Sequence, residues 1–329
     1  MPGNLSTRWR KLMTHPVGYC LDSRFAPLRA LGARMRDSER ARLLAAGAAN
    51  ADVSVTVVMT AYNTGHLIEK AVRSVLDQSH ANLRLMVIDD ASSDETPDIL
   101  LKLAAGDPRL IVVRSSRNHG TYWSKNWCLA QADTDFVAFH DSDDVSDPDR
   151  IRIQLGYMLG NPKAMACTVR WQRVDEDGRL FTVDGKTDRN AVISTMIRRQ
   201  PVLEKAGFFD CVRIAADTEF QYRLRKLFGY GAVHNLYHVL YTGLLRAGSL
   251  TTGVGSGFTW EADGMRLDRT LHGNRALYHQ THTDWHASAD IAALRLPFPP
   301  AGRPFPVPAD IVRGADDPDA SAAAIVTPV

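Results

Sequence analysis

Short apolar stretches alternate with segments of helical periodicity in the first half of the chain. The first stretch, 53–59 (VSVTVVM), is rich in β-branched residues and nearly all apolar, which is typical of a strand buried on both faces of a parallel sheet. Similar stretches follow at 83–88, 110–113 and 136–139, and the segments between them carry apolar residues at helical spacing. The alternation predicts an α/β fold with a doubly wound, mostly parallel sheet flanked by helices.

Polar loops follow three of these predicted strands, at 60–63 (TAYN), 89–94 (DDASSD) and 141–144 (DSDD). Sheets of this kind bind ligands beyond the carboxyl ends of their strands, because the loops converge there and helix N-termini point free N–H groups into the crevice. We therefore expect the three loops to form one site. The glycine fingerprint of a dinucleotide-binding fold and the GxxxxGK[ST] phosphate loop are both missing, which argues against NAD and P-loop chemistry.

The acidic loop at 141–144 is the strongest chemical signal. Asp141, Asp143 and Asp144 repel one another unless a cation neutralises them, and oxygen ligands alone suit Mg²⁺ or Mn²⁺. The alternative is a helix start, with Asp147 as N-cap and Pro148 at the first helical position. That alternative explains Asp147 but not the three carboxylates before it.

Composition and charge limit the class of protein. The 329 residues are 45% hydrophobic and 23% charged, enough for one large α/β core with appendages or for two modest domains. A net charge of +2 gives no pull toward nucleic acid, although residues 1–50 hold nine Lys or Arg against three Asp or Glu. Such a basic leader is suited to contact with anionic lipid or an acidic partner.

The four cysteines have neither paired nor metal-ligand spacing, which predicts buried thiols in a reduced compartment, the cytoplasm. They are Cys20, Cys128, Cys167 and Cys211. The amino terminus has no apolar core of secretory type, and no run of about 18 apolar residues occurs. We therefore expect neither an export signal nor a membrane span.

Five segments in one order resemble the family 2 glycosyltransferases of the GT-A fold. They are VVMTAYN at 57–63, IDDASSD at 88–94, NHGTYWSKN at 118–126, FHDSDD at 139–144, and GFFD at 207–210 followed by AADTEFQYRL at 215–224. The resemblance runs from residue 53 to about 250. It implies a nucleotide-diphospho-sugar transferase domain at 51–250, with a nucleotide-binding half at 51–145 and an acceptor half at 146–250.

We expect extensions on both sides of this domain. Residues 1–50 form a basic, partly helical extension that ends in a small-residue hinge at 45–50. A lid and helical extension is expected at 251–296, followed by a Pro- and Ala-rich, partly disordered tail at 297–329.

The resemblance implies a nucleotide site in the loops after the first two strands. Thr60, Ala61 and Asn63 would contact the nucleotide, Tyr62 would stack on the base, and Asp90, next to Asp89, would accept a hydrogen bond from N3–H of uracil. A carboxylate only accepts hydrogen bonds, so it favours uridine over cytidine, whose N3 is itself an acceptor. The alternative is a turn with helix capping by Ser92 for the two aspartates, and a half-buried core position for Tyr62.

The same resemblance assigns the metal ligands and the base. Asp143 would be the direct ligand of Mn²⁺ or Mg²⁺, with Asp144 in support, while Asp141 and Ser142 would lie nearer the ribose or the donor sugar. Inverting transfer needs one base for the acceptor hydroxyl, and the matching position is Asp217. The family has an acidic residue at 216, where this chain has Ala, so Glu219 is a second candidate for the base. The alternative for Asp217 is an N-cap.

The signal is weaker downstream. Arg246 and Ser249 match the family segment that returns to the diphosphate, and Gly253, Gly255 and Gly257 suit a mobile lid or a flexible surface loop. On a helix, the three histidines at 279, 282 and 286 would share one face, where surface positions are favoured over a metal site.

The predicted function is an inverting, metal-dependent transfer of a sugar from a UDP-sugar to a hydroxyl of a glycan or lipid-linked glycan. The leader at 11–24 resembles segments of bacterial capsule-polymer enzymes, which favours surface polysaccharide synthesis in the cytoplasm, with peripheral contact at the inner membrane. The alternatives are a sugar nucleotidyltransferase, disfavoured because 60–66 lacks Lys and Arg, and a non-catalytic nucleotide-sugar-binding protein. Donor sugar, linkage and oligomeric state are not predicted.

Overall fold

Four parallel strands form the first half of the central sheet. The computed structural model describes Trp9 and residues 12–246, 249–253, 256–312 and 326–328. The four strands are β1 (Val55–Ala61), β2 (Leu83–Asp89), β3 (Leu110–Ser115) and β4 (Phe136–Asp141). They lie in the order β3-β2-β1-β4, and Val58 is in register with Met86 and Phe139. The predicted α/β fold is therefore confirmed, and all four strands end at one edge.

The second half of the sheet is mixed. Its strands are β5 (Val145–Ser146), β6 (Ala166–Val174), β7 (Leu180–Val183), β8 (Arg189–Arg198), β9 (Val233–Leu244), β10 (Phe258–Asp263), β11 (Arg266–Leu271) and β12 (Val326–Pro328). β8 is antiparallel to both β4 and β6, whereas β6 and β9 are parallel. β10 and β11 form a hairpin, and β12 adds antiparallel to the outer edge of β3. The first half of the sheet is thus parallel apart from β12, and the second half combines parallel and antiparallel pairs.

Helices pack on both faces of the sheet. They are α1 (Pro16–Leu21), α2 (Ala26–Ala49), α3 (Gly65–Leu76), α4 (Thr96–Ala104), α5 (Thr121–Gln131), α6 (Arg150–Gly160), α7 (Arg199–Lys205), α8 (Ala216–Phe228) and α9 (Gly273–Ser288). Alternate residues of β1 enter different cores, because side chains along a strand point to opposite faces. Val57 and Met59 join one cluster and Val58 joins the other.

Two predicted helix starts are shifted. α4 begins at Thr96, whose N–H donates to Oδ1 of Asp94, so the helix capping predicted for Ser92 does not form. α6 begins at Arg150 with Asp149 as its N-cap residue, two positions after Pro148. Neither shift moves the loops that follow the strands.

The amino-terminal extension is joined directly to the core. Residues predicted as a hinge at 45–50 are the last turns of α2, which is continuous from Ala26 to Ala49, so the hinge prediction is wrong. A Cβ placed on Gly47 would lie 2.3 Å from the carbonyl oxygen of Arg152, and one placed on Gly156 would lie 2.2 Å from that of Leu43. The backbones of α2 and α6 are therefore in contact where both helices carry glycine.

All four cysteines are buried and free, as predicted. In the described part of the chain, none of the helices combines the length and apolar character that crossing a bilayer requires. Part of the predicted tail belongs to the core, since Phe305 and Ile311 are buried in the cluster that contains Val58. Residues 313–325 lie outside the described residues.

Candidate active site

The loops after β1 and β2 converge at the carboxyl edge of the sheet. The backbone N–H of Asn63 donates to Oγ of Ser92 (2.9 Å), and Oδ1 of Asn63 accepts from the N–H of Ser93 (2.8 Å). The N–H of Asp90 donates to the carbonyl of Ala61 (2.8 Å). Tyr62 lies at the outside of this pair of loops with 49% of its surface exposed, so its ring is open to a planar ligand.

Asp90 is buried and holds the loop after β3. Its carboxylate accepts from the backbone N–H groups of His119 (2.9 Å) and Gly120 (2.8 Å) and from Oγ of Ser124 (3.1 Å). Burial raises its pKa, against the lowering effect of these hydrogen bonds. Its neighbour Asp89 accepts from the N–H of Ser92 (3.2 Å). Both carboxylates therefore order the loops that follow β2 and β3. The turn that was the alternative interpretation of the two aspartates is present.

Each aspartate of the acidic loop has its own partner. Oδ1 of Asp141 accepts from Nζ of Lys125 (2.8 Å), and Oδ2 of Asp143 accepts from Nε of Arg246 (3.1 Å). Asp144 is buried and accepts from the backbone N–H of Leu244 (3.1 Å). Burial, followed by the charges of the neighbouring aspartates, raises the pKa of Asp144 well above its usual range.

Two cations of this site were not assigned a role from the sequence. Lys125 lies on α5, and its side chain is only 4% exposed, which is low for a lysine. Arg173 near the end of β6 is half-buried, and the charges of Asp144, Asp143 and Asp141 partly offset the lowering of its pKa by desolvation. The sequence does carry a signal for Lys125, because this residue lies within the family segment NHGTYWSKN at 118–126. Arg173 lies in a region where no motif was recognised.

The oxygen ligands present fit a divalent cation shared with a diphosphate. Mg²⁺ is usually held by one or two carboxylates together with substrate phosphates. Asp141 and Asp143 are close enough for the charge of Asp141 to raise the pKa of Asp143, after the larger effect of burial. Each keeps one oxygen without a hydrogen bond to the described residues. Within those ranges no group of three or more His, Cys, Asp or Glu side chains forms a complete metal cage.

Tyr122 lies near both the acidic loop and the first turn of α8. Burial, followed by the charges of Asp217 and Asp141, raises its pKa well above the usual range, and the nearby backbone N–H of Asp217 partly offsets the rise. Asp217 is half-buried, and Oδ1 accepts from the backbone N–H of Thr218 (2.7 Å). The helix begins at Ala216 after Ala215, so Asp217 lies in the first turn rather than at the N-cap.

Glu219 does not face the cleft. Its side chain is fully buried, pairs with Nε of Arg223 (2.7 Å), and accepts from Nε2 of His286 (2.9 Å). The Arg223 charge and these hydrogen bonds outweigh the effect of burial and lower its pKa to about 2. A fully buried carboxylate with these two partners is not available to an acceptor hydroxyl, so the structure argues against a shared base role.

The three histidines of α9 share one face, as expected. Ring centroids are 5.1 Å apart for His279 and His282 and 5.4 Å apart for His282 and His286. However, His282 and His286 are buried, so the expectation of surface positions is wrong for both. His286 instead supports Glu219, a partner 67 residues away that the sequence does not reveal.

The segment after β9 covers one side of the acidic loop. Ser249 lies in a cluster of hydroxyl groups, 3.1 Å from Oγ1 of Thr251. Nε1 of Trp260 donates to the carbonyl of Thr251 (2.8 Å), and Gly257 has a φ of +75°. Of the three glycines expected in a lid, Gly255 lies outside the described residues. The described part is therefore attached both to Asp143, through Arg246, and to β10.

Comparison with known proteins places this site in a family. Residues 56–218 match the model described as Glycosyl transferase family 2. The putative teichuronic acid biosynthesis glycosyltransferase TuaG of Bacillus subtilis is 39% identical over 114 residues, which cover 35% of this chain and 45% of TuaG. The UDP-Glc:alpha-D-GlcNAc-diphosphoundecaprenol beta-1,3-glucosyltransferase WfgD of Escherichia coli is 36% identical over 110 residues, 33% of this chain and 43% of WfgD. The chain thus spans less than half the length of these relatives.

Solved structures show a distant likeness. Residues 1–349 of Staphylococcus aureus TarS in complex with UDP superpose with a TM-score of 0.48 at 17% identity, covering 59% of this chain and 61% of that one. The mannosyltransferase PcManGT of Pyrobaculum calidifontis in complex with GDP-Man and Mn²⁺ gives 0.46 at 19% identity, with coverage of 64% and 67%. The family match over about half of the chain, supported by relatives named as glycosyltransferases, shows that the chain belongs to glycosyltransferase family 2.

Proposed function

We propose that this protein is an inverting, metal-dependent glycosyltransferase. It transfers a sugar from a UDP-sugar to a hydroxyl group of a glycan or lipid-linked glycan during surface polysaccharide synthesis. The observation that carries the proposal is that Asp217 and Asp141 both lie near the buried Tyr122, close enough for their charges to add to the effect of burial on its pKa. One carboxylate then lies beside the acceptor while the acidic loop lies beside the donor, as a single displacement requires.

Asp217 is the proposed base, and Glu219 is assigned a supporting role. Asp217 is half-buried at the start of α8, where it can accept a proton from an incoming hydroxyl group. Glu219 lies two residues further along α8 with Arg223 and His286, and it fixes the helix rather than taking part in proton transfer. The difference in burial between the half-buried Asp217 and the fully buried Glu219 supports this division.

The acidic loop and its cations would hold the donor diphosphate. Asp143 and Asp141 are the proposed ligands of Mn²⁺ or Mg²⁺, which when bound offsets the negative charge of the departing diphosphate. Lys125 and Arg246 already contact these two carboxylates and would orient the phosphate oxygens.

The uridine assignment rests on three observations. Tyr62 presents an exposed ring, and one lone pair on Oδ2 of Asp90 is left for a ring N–H after Gly120 takes the other. The name of WfgD states a UDP-linked donor and a diphosphoundecaprenol-linked acceptor, and that of TuaG a role in teichuronic acid synthesis. For this chain we therefore propose a UDP-sugar and a polymer or lipid-linked acceptor. We place the protein in the cytoplasm, in peripheral contact with the membrane through its basic extension.

The test is release of nucleotide from a panel of UDP-sugars by the full chain, with and without Mn²⁺. We expect UDP release that depends on Mn²⁺ and increases when a glycan acceptor is present. Pyrophosphate release from UTP and a sugar phosphate would instead identify a nucleotidyltransferase. UDP binding without any turnover, over a broad set of donors and acceptors, would indicate a non-catalytic binding protein.

A further inference from the structure

Two arginine side chains share one aromatic ring beside the lid segment. The guanidinium carbons of Arg275 and Arg269 lie 4.6 Å and 5.2 Å from the ring centroid of Phe258. We refer to Phe258, Arg269 and Arg275 as the arginine–phenylalanine cluster. Phe258 begins β10, Arg269 lies on β11, and Arg275 lies in the first turn of α9, so three elements meet at this cluster.

The cluster carries more positive charge than its contacts neutralise. Arg269 pairs with Oδ2 of Asp184 (2.9 Å), but the same carboxylate also pairs with Arg189. Arg275 donates from Nε to the carbonyl of Ser256 (2.6 Å) and from a terminal nitrogen to that of Leu250 (3.1 Å). Within the described residues Arg275 makes no ion pair, and Arg269 shares its carboxylate partner Asp184 with Arg189. The two guanidinium charges of the cluster are therefore only partly neutralised.

The cluster lies against the lid segment on the side of the proposed base. Arg275 contacts Ser256 and Leu250 of the segment that Arg246 joins to Asp143, and it is close enough to Asp217 for the two charges to interact without an ion pair. Arg269 is close enough to Arg275 for the two positive charges to repel. A group that lies against the cluster therefore also lies near the carboxylate that receives the acceptor hydroxyl.

We propose that the arginine–phenylalanine cluster binds a negatively charged group of the acceptor, a phosphate or a carboxylate. The proposal rests on the proposed function and adds the chemical class of the acceptor. Guanidinium groups donate to both anions, each of the two arginines keeps a terminal nitrogen without a hydrogen bond to the described residues, and the ring of Phe258 holds the two planes in place. An anion bound there would also relieve the repulsion between the two arginines.

The acceptor is the better candidate than the donor for this anion. The donor diphosphate already has Lys125 and Arg246 beside the acidic loop, and both contact the proposed metal ligands. Arg269 and Arg275 lie instead on the hairpin and on α9, where the charge of Asp217 acts on Arg275. A charged acceptor bound there would direct its hydroxyl toward Asp217.

The test measures binding of simple sugars to the full chain saturated with UDP and Mn²⁺. The probes are N-acetylglucosamine 1-phosphate, glucuronic acid and neutral N-acetylglucosamine, titrated by calorimetry into the wild type, Arg269→Gln and Arg275→Gln. The matched control is Arg266→Gln, since Arg266 is an exposed arginine on the same strand β11 and pairs with Asp268 (3.0 Å). We expect an anionic probe to bind the wild type at least tenfold more tightly than the neutral sugar. That preference should fall at least tenfold in both cluster variants and persist in the control.

The two anionic probes separate the sources of the charge. Preference for the phosphate supports a phosphate-linked acceptor, and preference for the carboxylate supports a uronic acid. Equal binding of charged and neutral sugars by the wild type overturns the inference, as does equal loss in Arg266→Gln. Arg275→Lys keeps the positive charge but lacks the planar guanidinium donors. The thermal unfolding midpoint of this variant shows whether it is folded. Because no turnover is needed, failure of this test is distinct from failure of UDP release, which tests the proposed function.

Discussion

Arg246 donates from Nε to Oδ2 of Asp143 at 3.1 Å, so the segment after β9 is joined to the acidic loop by an ion pair. Both side chains are about one-fifth exposed, and the arginine comes from a position more than 100 residues further along the chain. The pair brings a cation next to the carboxylate proposed as the principal metal ligand. In the proposed mechanism Arg246 is therefore within reach of the donor diphosphate as well.

Arg246→Gln is expected to weaken UDP binding without weakening the fold. A partly exposed ion pair contributes about 0–1 kcal/mol to the free energy of unfolding, whereas loss of a charged donor to phosphate weakens binding on the order of tenfold. Urea unfolding and calorimetry with UDP and Mn²⁺ measure the two effects. A loss of stability as large as the loss of affinity would contradict the assigned role.

Asp143→Ala is expected to abolish the part of UDP affinity that depends on Mn²⁺, because the principal carboxylate ligand is lost. The measurement is calorimetry with UDP at several Mn²⁺ concentrations. Asp133→Ala is the matched control, since Asp133 is exposed at the opposite end of β4 and pairs only with Arg84 (3.0 Å) among the described residues. If UDP affinity depended on Mn²⁺ to the same extent in Asp143→Ala, the acidic loop would be a turn without a role in metal binding.

Asp217→Asn is expected to leave UDP binding intact and to lower sugar transfer by 10²-fold or more, the order expected when a general base is removed. The size of the side chain is kept, and the backbone N–H of Asp217 near Tyr122 is unaffected. Transfer rates and UDP affinity are measured on the same preparation. Normal turnover in this variant would remove Asp217 from the proposed mechanism.

Glu219→Gln is expected to destabilise the fold, in contrast to Asp217→Asn. The change removes the charge that Arg223 and His286 contact and leaves a buried guanidinium without its counter-ion, a loss of about 3–5 kcal/mol in the free energy of unfolding. Urea unfolding at pH 7 measures it. A stable variant with greatly reduced turnover would return Glu219 to the candidates for the base.

The effect of Glu219→Gln on the free energy of unfolding is expected to depend on pH. The pKa of Glu219 is lowered from 4.5 to about 2, so its ionised form is favoured in the folded state. Its contribution to stability is present above pH 4.5 and is lost as the pH falls from about 4.5 toward 2. The difference in unfolding free energy between wild type and Glu219→Gln should therefore shrink over this interval. A constant difference down to pH 3 would mean that Glu219 is not held as a carboxylate.

The sequence predicts the first half of the sheet well, because each strand there is a short apolar run that ends in a polar loop. The strands from β6 onward were not located, since their half-buried residues lack that pattern and their pairing depends on distant segments. Helix starts were shifted by side chains that cap from unexpected positions, such as Asp94 before α4.

The candidate site shows a similar division. Motif residues that follow strands converge because parallel strands end at one edge. The local sequence alone therefore predicts that Asn63, Asp90 and Asp141 lie at the same edge of the sheet. The burial of Glu219 was not predictable, because its partner His286 belongs to a helix 67 residues away. The cations beside the acidic loop are likewise brought there by tertiary packing, as Arg246 is from the end of β9.

The glycine contact between α2 and α6 has a consequence for how the protein meets other surfaces. Because Gly47 and Gly156 allow the two backbones to touch, the amino-terminal helix cannot swing independently of the domain that carries the cleft. A large surface that binds the basic extension must therefore also fix the direction in which the cleft opens relative to that surface.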